Sequence, residues 1–510
     1  MLSAIAVIPG FAQFNGEADS TFGTNGLIEH DINNSGNSQR VTDSKVGPDG
    51  KLYIAGYQVS NGQWDMFVSR FNFDGTIDAS FGGNGTTIID PLIGAKDVVN
   101  AMDITTDGKI VLAGYVEGIS KDYVIVRLTQ DGIPDTSYNG NGYLIIGGNS
   151  ADEVWTDVVA EPDGRIIAAG YTYENQQSDY VFVRTESDGS PVTTFGTNGV
   201  AIFDFAGTDE IRSIVRTAPN RFYAAGKSGG QPEVISISGT GNLVNNWGNA
   251  GRASINFDAN AIESIRKIKS GDNGVIYVGG SANKNSNNSS FFCKLLSDGT
   301  PDTTFGGDGY YLVDMANGSN DFIMDFEIQS NNDVLATGTR NDGSKMSFWT
   351  TMITYNGIVN TSYGNNGVYS YDVGGIADYA MFARDENNDM YVVGSRQVNL
   401  SGDIAMVKLK TTTPTVGIND RDFTIDQMNL YPNPTNGLAY LELNMKEQSE
   451  VQISILNLSG QVMSQEIDRD LSAGQHRIEL TQSIEQLPQG MYLVQVMTND
   501  QYRILKILKD

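Results

Sequence analysis

One phrase of about eight residues recurs through most of the chain and constrains its architecture. It reads DSTFGTNG at 19–26, DASFGGNG at 78–85 and DTTFGGDG at 302–309. When the copies are aligned, their aromatic residues lie 52 to 59 residues apart, at Phe22, Phe81, Tyr138, Phe195, Trp247, Phe305 and Tyr363. A repeat of this length indicates copies of one small structural unit that bury their cores against each other.

Each period contains four segments with the pattern of β-strands. The second period reads TTIID (86–90), AMDITTDG (101–108), KIVLAGY (109–115) and DYVIVRLTQDG (122–132). These segments are rich in β-branched and aromatic residues and are bounded by Asp-Gly or Asn-Gly pairs, which is typical of hairpins. No stretch keeps a helical period, so we expect almost no helix. Four strands in each of seven units predict an all-β fold, a seven-bladed β-propeller of four-stranded blades. The alternative is a β-helix, whose repeats are shorter than the 52 to 59 residues found here.

The recurring phrase is best interpreted as the turn between blades. Its Asp residue can bond nearby backbone N–H groups, its aromatic residue can pack between blades, and its Gly and Asn residues tolerate positive φ. A second set of glycines ends the third segment of each unit, where we expect a bulge or a close backbone contact. This set comprises Gly56, Gly114, Gly170, Gly226, Gly280, Gly338 and Gly394.

The order of the segments predicts how the ring closes. The first copy of the phrase is followed by one strand, 27–32, that has no earlier strands of its own unit. The last copy is followed by three strands, which end near Lys410. We therefore expect residues 27–32 to pair with the strand near 404–409, which removes two exposed sheet edges.

The repeats resemble the delta-60 repeat family over roughly 16–410. The resemblance rests on the phrase DG-x-x-D-x-x-FG-x-x-G and on the phrase DG-K-I-x-x-AG, both repeated. It implies the propeller architecture and no particular chemistry. We place the propeller at 15–410.

The repeat pattern of the sequence ends near Lys410, and the composition changes there. Residues 411–428 have the composition of a polar linker, and 429–510 contain about seven short alternating segments, which predict a small Ig-like β-sandwich. Four stretches stand out: LYPNPTNG (430–437), SILNLSGQVM (454–463), GMYLVQV (490–496) and RILKILK (503–509). Together they resemble the type A sorting domain of the type IX secretion system. The matching motif residues are Pro432, Asn433, Pro434, Gly490, Tyr492, Lys506 and Lys509.

That resemblance implies an address for translocation across an outer membrane, with the secretion machinery as a partner. The product is then released or attached to the cell surface. The first residues agree with export, because 1–12 are apolar and place Gly10 and Ala12 before Gln13, a pattern typical of a signal peptide. The stretch departs from the signal-peptide pattern in one respect, because no Lys or Arg precedes it. The alternative interpretation of residues 1–12 is a buried first strand.

Composition excludes several functions. The formal net charge is −28, which disfavours nucleic acid and anionic lipid as partners. No run of about 18 apolar residues exists to form a membrane-spanning helix. The lone cysteine, Cys293, lies in an apolar segment and reads as a core residue. The two histidines, His30 and His476, fall in different predicted domains, which leaves no triad or histidine-rich zinc site.

The acidic residues of the repeats are the remaining candidates for chemistry. Pairs of aspartates four residues apart recur at the turns, and oxygen ligands in a loop suit calcium. The weak calcium candidates are Asp74, Asp78, Asp131, Asp135, Asp298 and Asp302. The spacing of an EF-hand is absent, and repetition favours a role in the turn, so we predict no catalytic residues, no bound cofactor and no tight metal site.

The sequence thus predicts a secreted or surface-attached, monomeric, non-catalytic binding or adhesion protein. Its ligand would be an extracellular polymer or protein bound on one face of the ring. Two alternatives stay open: a glycan-active hydrolase or lyase that uses carboxylate or tyrosine chemistry, and a purely structural surface component. An enzyme would need unlike residues from different repeats to converge on the axis.

Overall fold

The computed structural model describes residues 13–32, 36–147, 150–205, 207–255, 262–284, 287–313, 320–329, 331–341, 345–384, 389–398, 401–412, 425–446, 448–457, 462–498 and 501–509. The predicted signal segment 1–12 and residues 413–424 of the predicted linker lie outside these described residues. The chain divides into two compact units, Met1–Thr413 and Pro414–Asp510.

The first unit is built of β-strands. In chain order they are β1 Gln13–Ala18, β2 Leu27–His30, β3 Ser38–Val46, β4 Leu52–Ser60, β5 Gln63–Phe71, β6 Thr86–Ile89, β7 Lys96–Ile104, β8 Ile110–Glu117, β9 Lys121–Leu128, β10 Tyr143–Ile146, β11 Asp152–Ala160, β12 Ile166–Glu174, β13 Gln177–Thr185, β14 Val200–Phe203, β15 Glu210–Ala218, β16 Arg221–Ser228, β17 Gln231–Ser238, β18 Arg252–Ser254, β19 Ile262–Ser270, β20 Ile276–Lys284, β21 Asn287–Leu295, β22 Tyr310–Val313, β23 Asn320–Ile328, β24 Val334–Asn341, β25 Met346–Ile353, β26 Val368–Tyr371, β27 Ile376–Arg384, β28 Met390–Val398 and β29 Ser401–Thr412. A 3₁₀ turn, Asp272–Gly274, joins β19 to β20.

Consecutive strands form antiparallel blades. Blades 1 to 6 are β3–β6, β7–β10, β11–β14, β15–β18, β19–β22 and β23–β26, and blade 7 is β27–β29 completed by β1 and β2. The β-propeller fold predicted from the sequence is therefore confirmed. One parallel pair, Trp64 with Lys96, joins blades 1 and 2 into a single eight-stranded sheet. Because hydrogen bonding does not separate all the blades, the count of seven stays a prediction.

The ring closes as the order of the segments predicted. In the antiparallel pair of β2 with β29, Leu27 lies opposite Val407 and His30 opposite Ile404. Strand β1 extends the same edge, with Gln13 opposite Thr412. The first strands of successive blades contact one another, and β27 of blade 7 contacts β3 of blade 1, so these strands surround a common axis.

The predicted glycines allow a bulge in the first strand of the blade. The pairing of first and second strands shifts register beside the glycine in each of blades 1 to 6. A Cβ atom on these glycines would lie only 1.9 to 2.3 Å from a carbonyl oxygen of the first strand; the residues are Gly56, Gly114, Gly170, Gly226, Gly280 and Gly338. The bulge turns one extra side chain of the first strand toward the axis.

The prediction that the recurring phrase connects one blade to the next is wrong, because the strand that follows the phrase is the outer strand of the same blade. Residues 78–85, for example, join the third strand β5 to the fourth strand β6 and pack against the next blade. The seven aromatic side chains of the phrase are all buried. Phe81 packs so closely against Gly132 of the next blade that a Cβ there would be 2.7 Å from the ring. The glycine that follows the aromatic residue, Gly82, donates a hydrogen bond of 3.0 Å to the carbonyl of Asp131 in that next blade. Hydrophobic cores accordingly span adjacent blades, as where Val68 of blade 1 and Leu112 of blade 2 share one cluster.

The second unit is a small sandwich, which confirms the predicted fold class. Its strands are β30 Ile425–Tyr431, β31 Tyr440–Met445, β32 Ser449–Leu456, β33 Val462–Leu471, β34 Gly474–Glu479, β35 Gly490–Thr498 and β36 Gln501–Lys509, with one short helix, α1 Thr481–Glu485. One sheet has the order β30-β31-β34 and the other β33-β32-β35-β36. Leu441, Val451 and Val494 from the two sheets share a core. No helix in the described parts of the chain is long and apolar enough to cross a membrane.

Candidate functional site

The propeller has two chemically different ring faces. The second and third strands of each blade meet in a hairpin at one end, beside the start of the first strand and the connection between blades. We call this end the hairpin face; residues 61–62, 90–95 and 118–120 lie on it. The recurring phrase and the turns between first and second strands, such as 47–51, lie at the opposite end, the turn face.

A cavity of about 330 Å³ lies on the axis of the ring. The strands β3, β7, β11, β15, β19, β23 and β27 contribute to its lining, through Thr42, Asn100, Thr156, Arg212, Arg266, Met324 and Met381. Six of these residues come from equivalent positions and are of four types, Thr, Asn, Arg and Met, so the repeats diverge where they meet. At the hairpin ends of β8, β9 and β12, the lining includes Tyr115, Lys121 and Tyr171.

The lining of this cavity is cationic although the chain is strongly acidic. It contains four basic side chains, Lys121, Arg212, Arg266 and Lys267, and two carboxylates, Asp43 and Asp325. The ammonium group of Lys121 lies 5.0 Å from the centre of the Tyr115 ring. Arg212 is also paired with Glu210 at 2.7 Å.

The carboxylates nearest the axis join one blade to another. Each accepts a hydrogen bond from the backbone N–H of its own following residue and a second from a backbone N–H on the first strand of another blade. The donor–acceptor distances are 2.8 to 3.2 Å for Asp43, Asp103, Asp157 and Asp325. These bonds satisfy backbone groups that the bulged first strands leave without a sheet partner.

Lysines balance part of this buried negative charge. Lys267 lies 3.5 Å from Asp157, and Lys269 lies 3.2 Å from Asp325. Burial opposes the charged form of Lys267, but the carboxylates of Asp157 and Asp43 outweigh it and raise its pKa. Burial likewise opposes ionisation of Asp325, but Lys269, Lys267 and Lys45 lower its pKa below the ordinary value. Burial raises the pKa of Asp43 and of Asp103, although Lys45 opposes it for both. The axis therefore holds an internally paired network of carboxyl groups and lysines.

A second feature of the hairpin face is a group of three carboxylates between blades 1 and 2. Asp65 lies near the start of β5, Asp90 directly follows β6, and Asp97 lies near the start of β7. One oxygen from each lies within 4.8 Å of the other two. The parallel pair of Trp64 with Lys96 fixes this arrangement, because it sets the following residues, Asp65 and Asp97, side by side.

Asp97 is fully buried, and neither of its carboxylate oxygens has a hydrogen-bond partner within 3.5 Å. Burial raises the pKa of Asp97 to about 8, and the charges of Asp90 and Asp65 add to the effect, while the nearby Leu92 amide opposes it only weakly. Burial and the charge of Asp90 also raise the pKa of Asp65. The described residues form no ion pair between this group and a Lys or Arg.

The equivalent position between blades 3 and 4 carries the same three residue types. Asp179, Asp204 and Asp209 again place one oxygen each within 4.8 Å, beside an equivalent parallel bridge. Here the buried carboxylate of Asp209 accepts hydrogen bonds from the backbone N–H of Phe205 at 2.7 Å and of Gly229 at 3.2 Å. In the first group the residue that corresponds to Phe205 is Pro91, which has no N–H to donate.

Between blades 2 and 3 the same position has two carboxylates. Asp122 and Glu153 both approach Gly147, where a Cβ would lie 2.5 Å from an oxygen of each. Burial raises the pKa of Glu153 to about 7, and the charge of Asp122 adds to the effect. Three successive blade junctions thus concentrate carboxyl groups on the hairpin face. These groups were not predicted from the sequence.

The structure places the six calcium candidates on the turn face, where hydrogen bonds and cations engage most of them. Asp74 and Asp298 each accept from the backbone N–H and hydroxyl of the threonine two residues later. Asp78, Asp135 and Asp302 accept similar bonds and also pair with Arg70, Arg127 and Lys294 at 2.8 to 3.0 Å. The Asp131 carbonyl accepts from Gly82. The side-chain bonds account for aspartate at the other five positions without a metal, and calcium at all six positions stays a prediction.

The seven sorting-motif residues, in contrast, gather in one corner of the sandwich. The side chain of Asn433 donates to the carbonyl of Lys506 at 2.7 Å and accepts from the N–H of Leu508 at 2.9 Å. Gly490 pairs with Lys509 across β35 and β36. The Lys509 ammonium group donates to the carbonyl of Glu485 at 2.6 Å. The motif therefore holds the loop of Pro432 and Pro434 against the last strand.

The residues that form these structures match two families. The model described as a secretion system C-terminal sorting domain matches residues 429–510. The model described as a β-propeller domain of unknown function, DUF5122, matches residues 47–81, 105–138, 161–195 and 272–305. No curated protein matches the chain.

Solved structures with related architecture differ widely in sequence. A fungal alcohol oxidase of the AA5 family has 9% identity and a TM-score of 0.42, with 92% of this chain and 96% of that chain covered. PorZ, a surface component of the type IX secretion system of Porphyromonas gingivalis, has 9% identity and a TM-score of 0.27, with 92% and 70% covered. The β-propeller domain of Nup133 from Vanderwaltozyma polyspora has 11% identity and a TM-score of 0.37, with 75% and 97% covered.

Both resemblances stated from the sequence are thus confirmed, as is the destination they imply. The chain is a β-propeller protein with DUF5122-type repeats and a C-terminal sorting domain of the type IX secretion system, and it is secreted or attached to the cell surface.

Proposed function

We propose that the propeller is a non-catalytic binding module that holds an acidic saccharide of an extracellular polymer at the axial cavity. The observation that carries this proposal is the hydrogen bonding of the axial carboxylates. Glycoside cleavage needs one carboxyl group that donates a proton and another that attacks or activates water. The oxygens of Asp43, Asp157 and Asp325 instead accept backbone N–H groups of two blades.

The tyrosines at the cavity are also poorly suited to act as bases. Burial raises the pKa of Tyr115, and the nearby Glu117 adds to the effect. Burial raises the pKa of Tyr171 as well, although Arg212 opposes it. A tyrosine that removes a proton during polysaccharide cleavage needs a lowered pKa. Both phenols are therefore protonated near neutral pH and fit a contact role.

The cavity has the chemistry for an anionic ligand. Lys121, Arg212 and Arg266 can form charge-assisted hydrogen bonds with carboxylate or sulfate groups. The rings of Tyr115 and Tyr171 add apolar faces with a polar tip, which suit the faces and hydroxyl groups of sugars. The volume, about 330 Å³, is at the lower end of the range for ligand sites and accommodates one sugar unit of a longer chain.

Affinity electrophoresis of the full chain tests this proposal. We expect polygalacturonate in the gel to retard the protein and neutral dextran to leave its mobility unchanged. The Arg212→Ala variant should bind about tenfold more weakly, because it loses one charge-assisted contact. Arg165→Ala is the matched control, because Arg165 lies on the turn face, away from the cavity, and its guanidinium group pairs with Asp163. Equal retardation by dextran, or wild-type retardation of Arg212→Ala, would overturn the proposal.

A further inference from the structure

We infer that Asp65, Asp90 and Asp97 bind a hard divalent cation, Ca²⁺, at the junction of blades 1 and 2. This site is separate from the axial cavity and from the six turn-face aspartates, and the inference does not depend on the proposed function. The three carboxylates come from two blades, so a bound ion would link β5 and the end of β6 to β7.

Geometry is the first step of the argument. The three oxygens lie within 4.8 Å of one another, so each lies within about 2.8 Å of a common point, and small side-chain movements bring all three to the calcium–oxygen distance of about 2.4 Å. Carboxylate oxygens alone suit calcium better than zinc or copper, which favour nitrogen and sulfur ligands. Asp90 is exposed, which leaves a route for the ion and room for water ligands.

The second step is the unsatisfied carboxylate of Asp97. Both of its oxygens are buried without a hydrogen-bond partner, and a buried carboxylate in that state is costly. At the junction of blades 3 and 4, the N–H groups of Phe205 and Gly229 meet this need for Asp209. At the junction of blades 1 and 2, Pro91 removes the first donor.

The second donor is lost as well. Gly118, in the hairpin that corresponds to the one containing Gly229, donates its N–H to the carbonyl of Ser120 at 3.1 Å. The acidic residues are thus the same at the two junctions, but at the junction of blades 1 and 2 no backbone N–H lies within hydrogen-bond distance of the buried carboxylate, on which the Leu92 amide acts only weakly. A cation supplies the missing positive charge.

Calorimetric titration of the full, chelator-treated chain with CaCl₂ tests the inference. We expect one calcium ion to bind per chain, and we expect Asp97→Asn and Asp90→Asn each to weaken binding at least tenfold. Asp204→Asn is the matched control, because Asp204 occupies the position of Asp90 in the satisfied group, and its affinity should stay within twofold of wild type. Asp90→Asn changes an exposed residue and keeps the test valid if Asp97→Asn fails to fold.

Thermal unfolding gives an independent readout. Calcium should raise the melting temperature of the wild type and of Asp204→Asn but not that of Asp90→Asn, because an ion bound only to the folded state stabilises it. The inference is wrong if wild type binds no calcium at about 10 mM, above the range of weak extracellular calcium modules. It is also wrong if Asp90→Asn and Asp97→Asn bind like wild type, or if Asp204→Asn weakens binding as much as Asp90→Asn.

Discussion

The side chains of Arg184 and Glu161 form a two-point ion pair that is almost fully excluded from water, with distances of 2.6 and 2.7 Å. Arg184 also donates to the carbonyl of Gly239 in the next blade at 2.9 Å. Removing one partner of such a pair leaves a buried charge without compensation. We therefore expect Glu161→Gln to lower the free energy of unfolding by about 3–5 kcal/mol.

A neighbouring pair provides the control. Asp163 and Arg165 lie on the same turn but are partly exposed, so Asp163→Asn should cost only about 0–1 kcal/mol. Urea unfolding followed by tryptophan fluorescence measures both effects, because all four tryptophans lie in the first unit. Equal losses in the two variants would contradict the role assigned to burial.

Glu153 predicts a pH dependence of stability. Burial and the neighbouring Asp122 raise its pKa from 4.5 to about 7 in the folded protein, beside the buried hydroxyl of Tyr123. Between these values the folded state binds a proton that the unfolded state releases, so this residue's contribution to stability is lost as pH rises from about 4.5 to 7. Glu153→Gln has no charge to bury and should be about 1–2 kcal/mol more stable than wild type at pH 8. Melting temperatures measured from pH 4 to pH 8 check this; a gain of the same size at pH 4 would contradict the account.

At the level of the blade, the bulge beside each second-strand glycine determines which side chains reach the axis. A Cβ on Gly114 would lie 1.9 Å from the carbonyl oxygen of Val98, which belongs to the first strand and cannot move freely. We expect Gly114→Ala to lower the free energy of unfolding by about 2 kcal/mol or more through backbone strain. Gly118→Ala, in the same hairpin, meets nothing within 4 Å and should stay within about 0.5 kcal/mol of wild type. Urea unfolding compares them, and similar losses would contradict a close backbone contact at Gly114.

The elements that repeat were predictable because their cause is local. The turn phrase, the bulge glycine and the Asp-Gly hairpins each specify a conformation within a few residues, and every copy repeats the signal. Phe81 illustrates this: its position in the phrase indicated a packing role, and it is buried between blades. The sorting motif was recognisable for the same reason, since each of its short stretches has a characteristic local sequence.

The acidic groups at the blade junctions were not predicted, because each combines residues from two or three separate segments. Asp65 and Asp97 become neighbours only through the pairing of Trp64 with Lys96, a contact between blades that no local pattern encodes. A signal did exist in the alignment of repeats, where Asp65, Asp122 and Asp179 recur at the start of the fourth segments, which form the third strands of the blades. Using it required knowing that the third strand of one blade lies beside the first strand of the next. The axial cavity was missed for the same reason.

The first and last strands of the first unit lie in the same blade. Strand β29 pairs with β1 and β2, so the ring closes through residues separated by almost the entire unit. Closure fixes the seven first strands around the axis and creates the cavity from unlike residues. The sorting domain is a separate compact unit with its own core, which agrees with a role in export rather than in ligand binding.

The claim that the propeller binds an acidic saccharide without cleaving it can be tested in one sample. The full chain is mixed with a stoichiometric amount of a size-defined oligogalacturonate, and after long incubation the bound and free sugar are separated and weighed by mass spectrometry. The account predicts that the oligosaccharide co-purifies with the protein and keeps its original mass. Recovery of shorter products, absent when Arg212→Ala replaces the wild type, would identify a catalytic cavity and contradict the account.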